Sequence, residues 1–198
     1  MSMRNNIDIK SELTTHYVLF SVEGTAEGVI IDKLVGAEAL LVPTNRIVKD
    51  RMTFKPFTRQ RKAKSIAEQY LNENYQTESA TELLIARIID SSTPSFSLPR
   101  QYKNAAIVRN FVTSPEIEML AIYKENACDL WKRRSRTNRQ LKPCEFCKQD
   151  LKLPDIKSAT FLNEYWNDPF EIIRCIKRYS QDHSNRDSNS FLLADLLA

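Results

Sequence analysis

Residues 18–36 read VLFSVEGTAEGVIIDKLVG, and this stretch decides the fold. Its β-branched and aromatic residues predict a strand over Thr15–Val22 that ends in a tight Glu-Gly turn. Apolar residues then recur at helical spacing and predict a helix from Thr25 to Gly36. A short apolar run, Ala39–Val42, predicts a second strand. Strand, helix and strand in close succession form a βαβ unit, which implies a parallel sheet.

Strands and helices continue to alternate beyond this unit. Glu82–Ile89 and Ala105–Val112 are rich in apolar residues and are each followed by serine, threonine and proline, so we predict a third and a fourth strand there. Ser114 and Pro115 are typical of an N-cap and a first helical residue, which predicts a helix after the fourth strand. We therefore predict an α/β domain, a parallel sheet flanked by helices, over residues 12–127.

Residues 128–198 differ in character, because no strand-like segment occurs beyond the basic run near their start. Short helices are predicted, one around Phe161–Tyr165 and one that begins at Pro169 with Asp168 as its cap. A polar stretch then precedes an apolar tail, Phe191–Leu197. We predict a helical extension, whose tail either packs on the core or forms a dimer contact.

Size, charge and cysteine content narrow the class of protein. A chain of 198 residues can bury a core without disulfides or a structural metal. The formal charge of +4 does not by itself indicate what the protein binds. No stretch has the roughly 18 to 20 apolar residues of a membrane helix. We therefore predict a soluble, cytoplasmic protein that does not bind membranes. The four cysteines are too few and too clustered for a disulfide framework, so they are predicted to be free thiols. Cys144 and Cys147 lack a second pair for a zinc site.

Two carboxylates at predicted strand ends carry the functional argument. Glu23 ends the first predicted strand and Asp90 the third. The carboxyl ends of parallel strands meet at one edge of a sheet, where ligands bind, so neighbouring strands would bring these side chains together. Oxygen ligands suit Mg²⁺ or Mn²⁺, which can orient a phosphate and lower the pKa of a bound water. The alternative is that both acids are solvated loop residues or helix caps.

The segments VLFSVEGTAEGVIIDKLVG and ELLIARIIDSS, residues 18–36 and 82–92, resemble the TOPRIM fold of topoisomerases, primases and OLD-family nucleases. In that family a glutamate after the first strand and an Asp-x-Asp motif after the third bind Mg²⁺ for phosphoryl transfer. The resemblance assigns Glu23 to the first position and Asp90 to the leading aspartate. It departs from the family at Ser92, which replaces the second aspartate and removes one ligand.

Two further glutamates are candidates for the same site. The spacing Glu-Gly-x-x-Glu, which ends at Glu27, is similar to the opening of small RloB-like and AbiL-like proteins linked to phage resistance. A proline followed by glutamates, in the segment TSPEIEML, also resembles RloB-like chains, and helical geometry there allows Glu116 or Glu118, but not both, to face the site. We favour Glu118. Glu27 and Glu118 are equally explained as acids near a helix N-terminus.

Basic residues indicate a polyanionic partner, because a nuclease needs cations that bind the nucleic-acid backbone. Two basic clusters are predicted to do so, and Trp131 beside the second is a candidate for stacking on a base. The first cluster comprises Arg51, Lys55, Arg59, Arg61, Lys62 and Lys64. The second comprises Lys132, Arg133, Arg134 and Arg136, and the run continues to Lys142. The alternative for each cluster is an ordinary solvated face.

The sequence thus predicts a metal-dependent nuclease of RNA or DNA, with Glu23 and Asp90 as metal ligands and Glu27 or Glu118 assisting. Glu23 is alternatively a general acid or base. The resemblance implies a role in bacterial defence against phage, with a partner ATPase or another subunit as a further expectation. The rival hypothesis is a non-catalytic nucleic-acid-binding or protein-binding module with a degraded metal site. Homo-oligomerisation is left open.

Overall fold

A three-stranded parallel sheet forms the centre of the chain. The computed structural model describes residues 8–90, 96–113, 117–183 and 191–198. The strands are β1 (Tyr17–Val22), β2 (Leu83–Ile89) and β3 (Ala106–Val112), in the order β1-β2-β3. Both strand pairs are parallel. The prediction of an α/β fold with a parallel sheet flanked by helices is therefore confirmed.

Eight α-helices surround this sheet in the described part of the chain, which also contains three short 3-10 helices. The α-helices are α1 (Ile9–Thr15), α2 (Thr25–Gly36), α3 (Ala63–Tyr70), α4 (Met119–Lys124), α5 (Cys128–Thr137), α6 (Pro143–Gln149), α7 (Ala159–Tyr165) and α8 (Pro169–Asp182). The bounds of α2 agree with the prediction, and Asp168 caps α8 as predicted by accepting a hydrogen bond from the Phe170 backbone N–H. None of these helices is long and apolar enough to cross a bilayer.

The predicted second strand, Ala39–Val42, is wrong. Leu40 forms only an isolated antiparallel bridge with Leu197, and the Leu41 backbone N–H donates to the Leu196 carbonyl. Leu40 is buried against the C-terminal tail, so its apolar character reflects burial and not membership of the sheet. A short apolar run does not by itself distinguish these two environments. The same contacts show that the tail packs on the core.

Further differences lie at the ends of predicted elements. Thr15 ends α1, a helix that the sequence analysis did not predict and whose N-cap is Asp8, so β1 begins at Tyr17. The predicted cap at Ser114 and Pro115 lies outside the described residues, as does much of the polar stretch before the tail.

The outer edge of β1 is covered by the segment between α2 and α3. The Val48 backbone N–H donates to the Val18 carbonyl, and the Thr58 backbone N–H donates to the Phe20 carbonyl. Phe57, in this segment, lies so close to α2 that a Cβ atom at Gly28 would come within 2.8 Å of its ring, so any side chain there would force the ring to move. These contacts satisfy backbone groups that an exposed edge strand would leave unpaired.

The core has one apolar cluster on each face of the sheet. Leu19 and Ile85 point to the face covered by Ile66 and Tyr70 of α3. Side chains on the other face pack with α2 and α4, and the buried residues of the extension belong to this same cluster. They include Phe146, Leu162, Ile172 and Ile176. The helical extension is therefore packed against the α/β part of the chain by a shared core.

Asp50 stabilises a turn in the segment that covers the edge of β1. Its carboxylate accepts hydrogen bonds from the backbone N–H groups of Met52 and Thr53, and from the Tyr70 hydroxyl at 3.0 Å. Burial alone would raise the pKa of Asp50, but hydrogen bonds, including those from Thr53, Thr58 and Tyr70, outweigh it and lower the pKa to about 2.

We expect Asp50→Asn to lower the free energy of unfolding by about 2 kcal/mol near pH 7, measured by urea denaturation. Because the folded-state pKa is depressed, this stabilisation is present above the ordinary pKa of 3.8 and is lost as the pH falls through about 2. The difference in the free energy of unfolding between Asp50→Asn and wild type should therefore shrink in acid. Asp155→Asn, at an exposed turn, is the control. Equal stability of wild type and Asp50→Asn at pH 7 would contradict the assignment.

Candidate active-site cleft

Glu23 and Asp90 lie side by side at the carboxyl end of the sheet. Val22 pairs with Ile88 in the parallel register, and the Glu23 backbone N–H continues the ladder by donating to the Ile88 carbonyl at 3.1 Å. The Asp90 backbone N–H in turn donates to Glu23 Oε2 at 3.1 Å. The structure thus brings these two predicted site residues together on adjacent strands.

Glu27 belongs to the same group of carboxylates. It lies in the first turn of α2 and is only 9% exposed. A Cβ atom at Gly24 would lie 2.5 Å from Glu27 Oε2, so the carboxylate folds back over this glycine, next to Glu23. Burial raises the pKa of Glu27, and although a backbone hydrogen bond opposes this shift, the negative charges of Glu118, Glu23 and Asp90 raise the pKa further.

Glu118 joins the group from the start of α4. It is the N-cap residue of α4 and is 7% exposed. Lys157, in the connection between α6 and α7, places its Nζ atom 3.3 Å from Glu118 Oε1. This ion pair offsets part of the cost of burying a carboxylate beside other acids. Glu116, the alternative to Glu118, lies outside the described residues.

These side chains line an open cleft of about 670 Å³. Its acidic wall is formed by the strand ends, α2 and the start of α4, and contains Glu23, Glu27, Asp90 and Glu118. The facing wall comes from α6, its N-cap Lys142 and the segment after the helix, and contains Lys142, Lys148 and Lys157 together with the carboxylate of Glu145. The cleft therefore combines four carboxylates on one wall with three ammonium groups and one carboxylate on the other, an arrangement that suits a phosphate bound through a cation.

Only part of the first basic cluster approaches this cleft. Arg61 Nη1 lies 3.7 Å from Glu23 Oε1, because the segment along β1 emerges at the carboxyl end of the sheet. Other members pair with acids elsewhere: Arg51 with Glu73, Lys55 with Asp32 at 3.8 Å, and Lys64 with Glu68 at 3.8 Å. Arg59 and Lys62 are exposed.

The second basic cluster lies on α5, away from the described lining of the cleft. Lys132, Arg133, Arg134 and Arg136 are all exposed, and Arg134 pairs with Asp150 at 3.0 Å. Trp131 is partly buried and packs edge-on against Phe146, with 5.4 Å between ring centroids. Stacking on a base, which the sequence analysis proposed for Trp131, therefore competes with this packing.

Sequence reasoning missed three cations that the fold brings to the site. Lys148 and Lys157 follow no recognisable motif, and their places depend on how the extension packs. Arg87 is a buried residue within a strand that looks uniformly apolar. Its guanidinium lies over the Phe96 ring and donates to Asn110, and burial lowers its pKa while the Glu23 carboxylate opposes that shift. Arg87 thus contributes positive charge beneath Glu23.

The donor chemistry fits a hard divalent cation, because carboxylate oxygens are the ligands that Mg²⁺ and Mn²⁺ prefer. Glu23 and Asp90 are the residues best placed to hold one. Within the described residues, no three acidic, histidine or cysteine side chains already converge as a metal-ligand set. Ser92, the position at which the TOPRIM motif has its second aspartate, lies outside those residues.

Comparison of the chain with protein-family models, with curated proteins and with solved structures found no match.

We expect Glu27→Gln to raise the free energy of unfolding at pH 7, because it removes a buried charge from among three other carboxylates. The folded-state pKa of Glu27 is raised, so its ionisation costs stability progressively as the pH rises above the ordinary value of 4.5. The gain should therefore vanish in acid, where wild-type Glu27 is protonated. Thermal unfolding at several pH values measures the effect. Glu164→Gln, an exposed change on α7, should show no such dependence, and equal behaviour of both variants would contradict this account.

Proposed function

We propose that this protein is a metal-dependent nuclease with a TOPRIM-like domain, which hydrolyses phosphodiester bonds in RNA or DNA with Mg²⁺ or Mn²⁺. The observation that carries the proposal is the contact between Glu23 and Asp90 at the ends of adjacent parallel strands. Two buried carboxylates in the same cleft, Glu27 and Glu118, support it, and so does the raised pKa of Glu27, since shifted pKa values cluster at functional sites.

The residues of the cleft suit distinct roles in such a reaction. Glu23 and Asp90 would hold the metal ion, which supplies charge stabilisation at the phosphate and lowers the pKa of a bound water. Glu27, whose pKa is raised by burial and by the neighbouring carboxylates, is suited to a role in proton transfer. Lys142 and Lys148 provide positive charge for the substrate phosphates on the facing wall.

The biological setting is proposed from the resemblance described above. A small TOPRIM-like nuclease linked to phage resistance would act in bacterial defence, and a partner ATPase would control it. Exposed basic residues on α5 and along the β1 edge, away from the acidic wall, supply additional surface for nucleic acid.

We expect Glu23→Gln and Asp90→Asn each to reduce cleavage by about 100-fold or more, because each removes a charge that stabilises the transition state. Cleavage of labelled RNA and DNA with Mg²⁺ or Mn²⁺ measures this, with Glu164→Gln as the control that keeps wild-type activity. Wild-type rates in the Glu23 and Asp90 variants would contradict the proposal.

A non-catalytic module is the second candidate, and the Lys157–Glu118 ion pair favours it, because an ammonium group already neutralises one acid of the cleft. Calorimetric titration separates the two functions. Binding of Mg²⁺ or Mn²⁺ that is lost in Glu23→Gln supports the nuclease, whereas nucleic-acid binding without metal binding or cleavage supports the module. Cleavage should be assayed with and without the proteins encoded by neighbouring genes, because a nuclease that a partner protein controls would be inactive alone.

A further inference from the structure

We propose that the cleft accepts single-stranded nucleic acid and excludes the intact duplex, with Lys142 and Lys148 binding the phosphates of the strand opposite the acidic wall. This inference deepens the proposed nuclease function and rests on it. It concerns the form of the substrate and the roles of Lys142, the last residue of the second basic run, and of Lys148, which the sequence analysis did not assign.

The size of the cleft is the first argument. Its volume of about 670 Å³ is that of a pocket that encloses one small organic molecule. The major groove of B-DNA alone is about 12 Å wide, and the whole double helix is wider still. A short stretch of one strand can enter such a space with its phosphates, while a duplex remains at the rim.

The depth of the acidic residues is the second argument. Glu27 and Glu118 are 9% and 7% exposed, so they form the floor of the cleft and not its edge. A phosphate must enter the cleft to come near them. The backbone of a duplex is held on the outside of a stiff helix, whereas a single strand bends freely and can insert one phosphate at a time.

The third argument is that α6 holds the two lysines in fixed positions. Lys142 is the N-cap of α6 and Lys148 lies in its last turn, and the helix is anchored by the buried residues Phe146 and Cys147. Cys147 Sγ lies 3.8 Å from the Glu118 carbonyl, so the helix is fixed directly against the acidic wall. Both lysines are exposed, and neither ammonium group forms an ion pair with any described residue.

The charges that line the cleft predict how binding of a single strand depends on a divalent metal ion. The acidic wall repels phosphate, so the lysines alone cannot hold a strand deep in the cleft. A divalent cation at Glu23 and Asp90 removes this repulsion and links the strand to the acidic wall. Binding of a single strand should therefore strengthen when Ca²⁺, which binds the same kind of oxygen ligands, is added in place of Mg²⁺.

The test uses fluorescence anisotropy to measure how a labelled single-stranded oligonucleotide, and its duplex, bind to the whole chain in the presence of Ca²⁺. We expect the single strand to bind more tightly than the duplex, and more tightly with Ca²⁺ than with EDTA. The double variant Lys142→Gln/Lys148→Gln should lose about 25-fold in affinity at 0.1 M salt, and its salt slope should fall by about 1.4, since each phosphate contact on a single strand contributes about 0.7.

The matched control is Lys10→Gln/Lys103→Gln, which removes the same charge from exposed lysines before β1 and β3, at the amino end of the sheet. It should stay within about twofold of wild type, and thermal unfolding should show all variants folded. Equal or tighter binding of the duplex would overturn the proposal, as would equal losses in both double variants, or no binding of the single strand.

The two proposals fail separately in this design. A wild-type protein that cleaves duplex and single strand alike, through Glu23 and Asp90, retains the nuclease function and overturns the inference about substrate form. A protein that binds single strands through Lys142 and Lys148 but never cleaves them, with any metal or partner, supports the inference about binding and overturns the nuclease.

Discussion

Parallel pairing of β1 with β2 is the constraint on which the candidate site depends. The ladder places Val22 opposite Ile88, and its continuation, from the Glu23 backbone N–H to the Ile88 carbonyl, determines where both acids leave the sheet. The Glu23 carboxylate then accepts a hydrogen bond from the Asp90 backbone. A shift of one residue in this register would turn the side chains of a strand to the opposite face and separate the acids.

Bringing several carboxylates together has an energetic cost, and the surroundings offset part of it. Like charges and burial both act against the ionised form of Glu27, as the upward shift of its pKa shows. Lys157 pairs with Glu118, Arg61 approaches Glu23, and Arg87 lies beneath the strand ends. An arrangement that costs stability and is only partly compensated is typical of a site kept for function, in which a cation or substrate supplies the remaining charge.

The helical extension has a role that its sequence does not reveal. Its buried residues share the core that α2 and α4 form on one face of the sheet, so α6 is held firmly next to the start of α4. As a consequence, lysines from a distant part of the chain form the wall that faces the acids. The α/β part alone would present an open acidic edge, whereas the packed chain presents a cleft with two chemically different sides.

Local patterns in the sequence were sufficient for the sheet's three strands, for α2, and for the places of Glu23 and Asp90 at the carboxyl ends of strands, because strand polarity in a parallel sheet follows from the βαβ alternation. That these two strands are neighbours was decided by the tertiary structure. Local patterns failed at Ala39–Val42, since an apolar run buried against the tail has the same composition as a strand. Only the tertiary structure decided that Lys148 and Lys157 meet the acids at the cleft, and that the basic residues of α5 do not line the described part of it. The physical reason is range: backbone propensity and periodicity act over a few neighbouring residues, whereas these contacts depend on how helices far apart in the chain pack around one core.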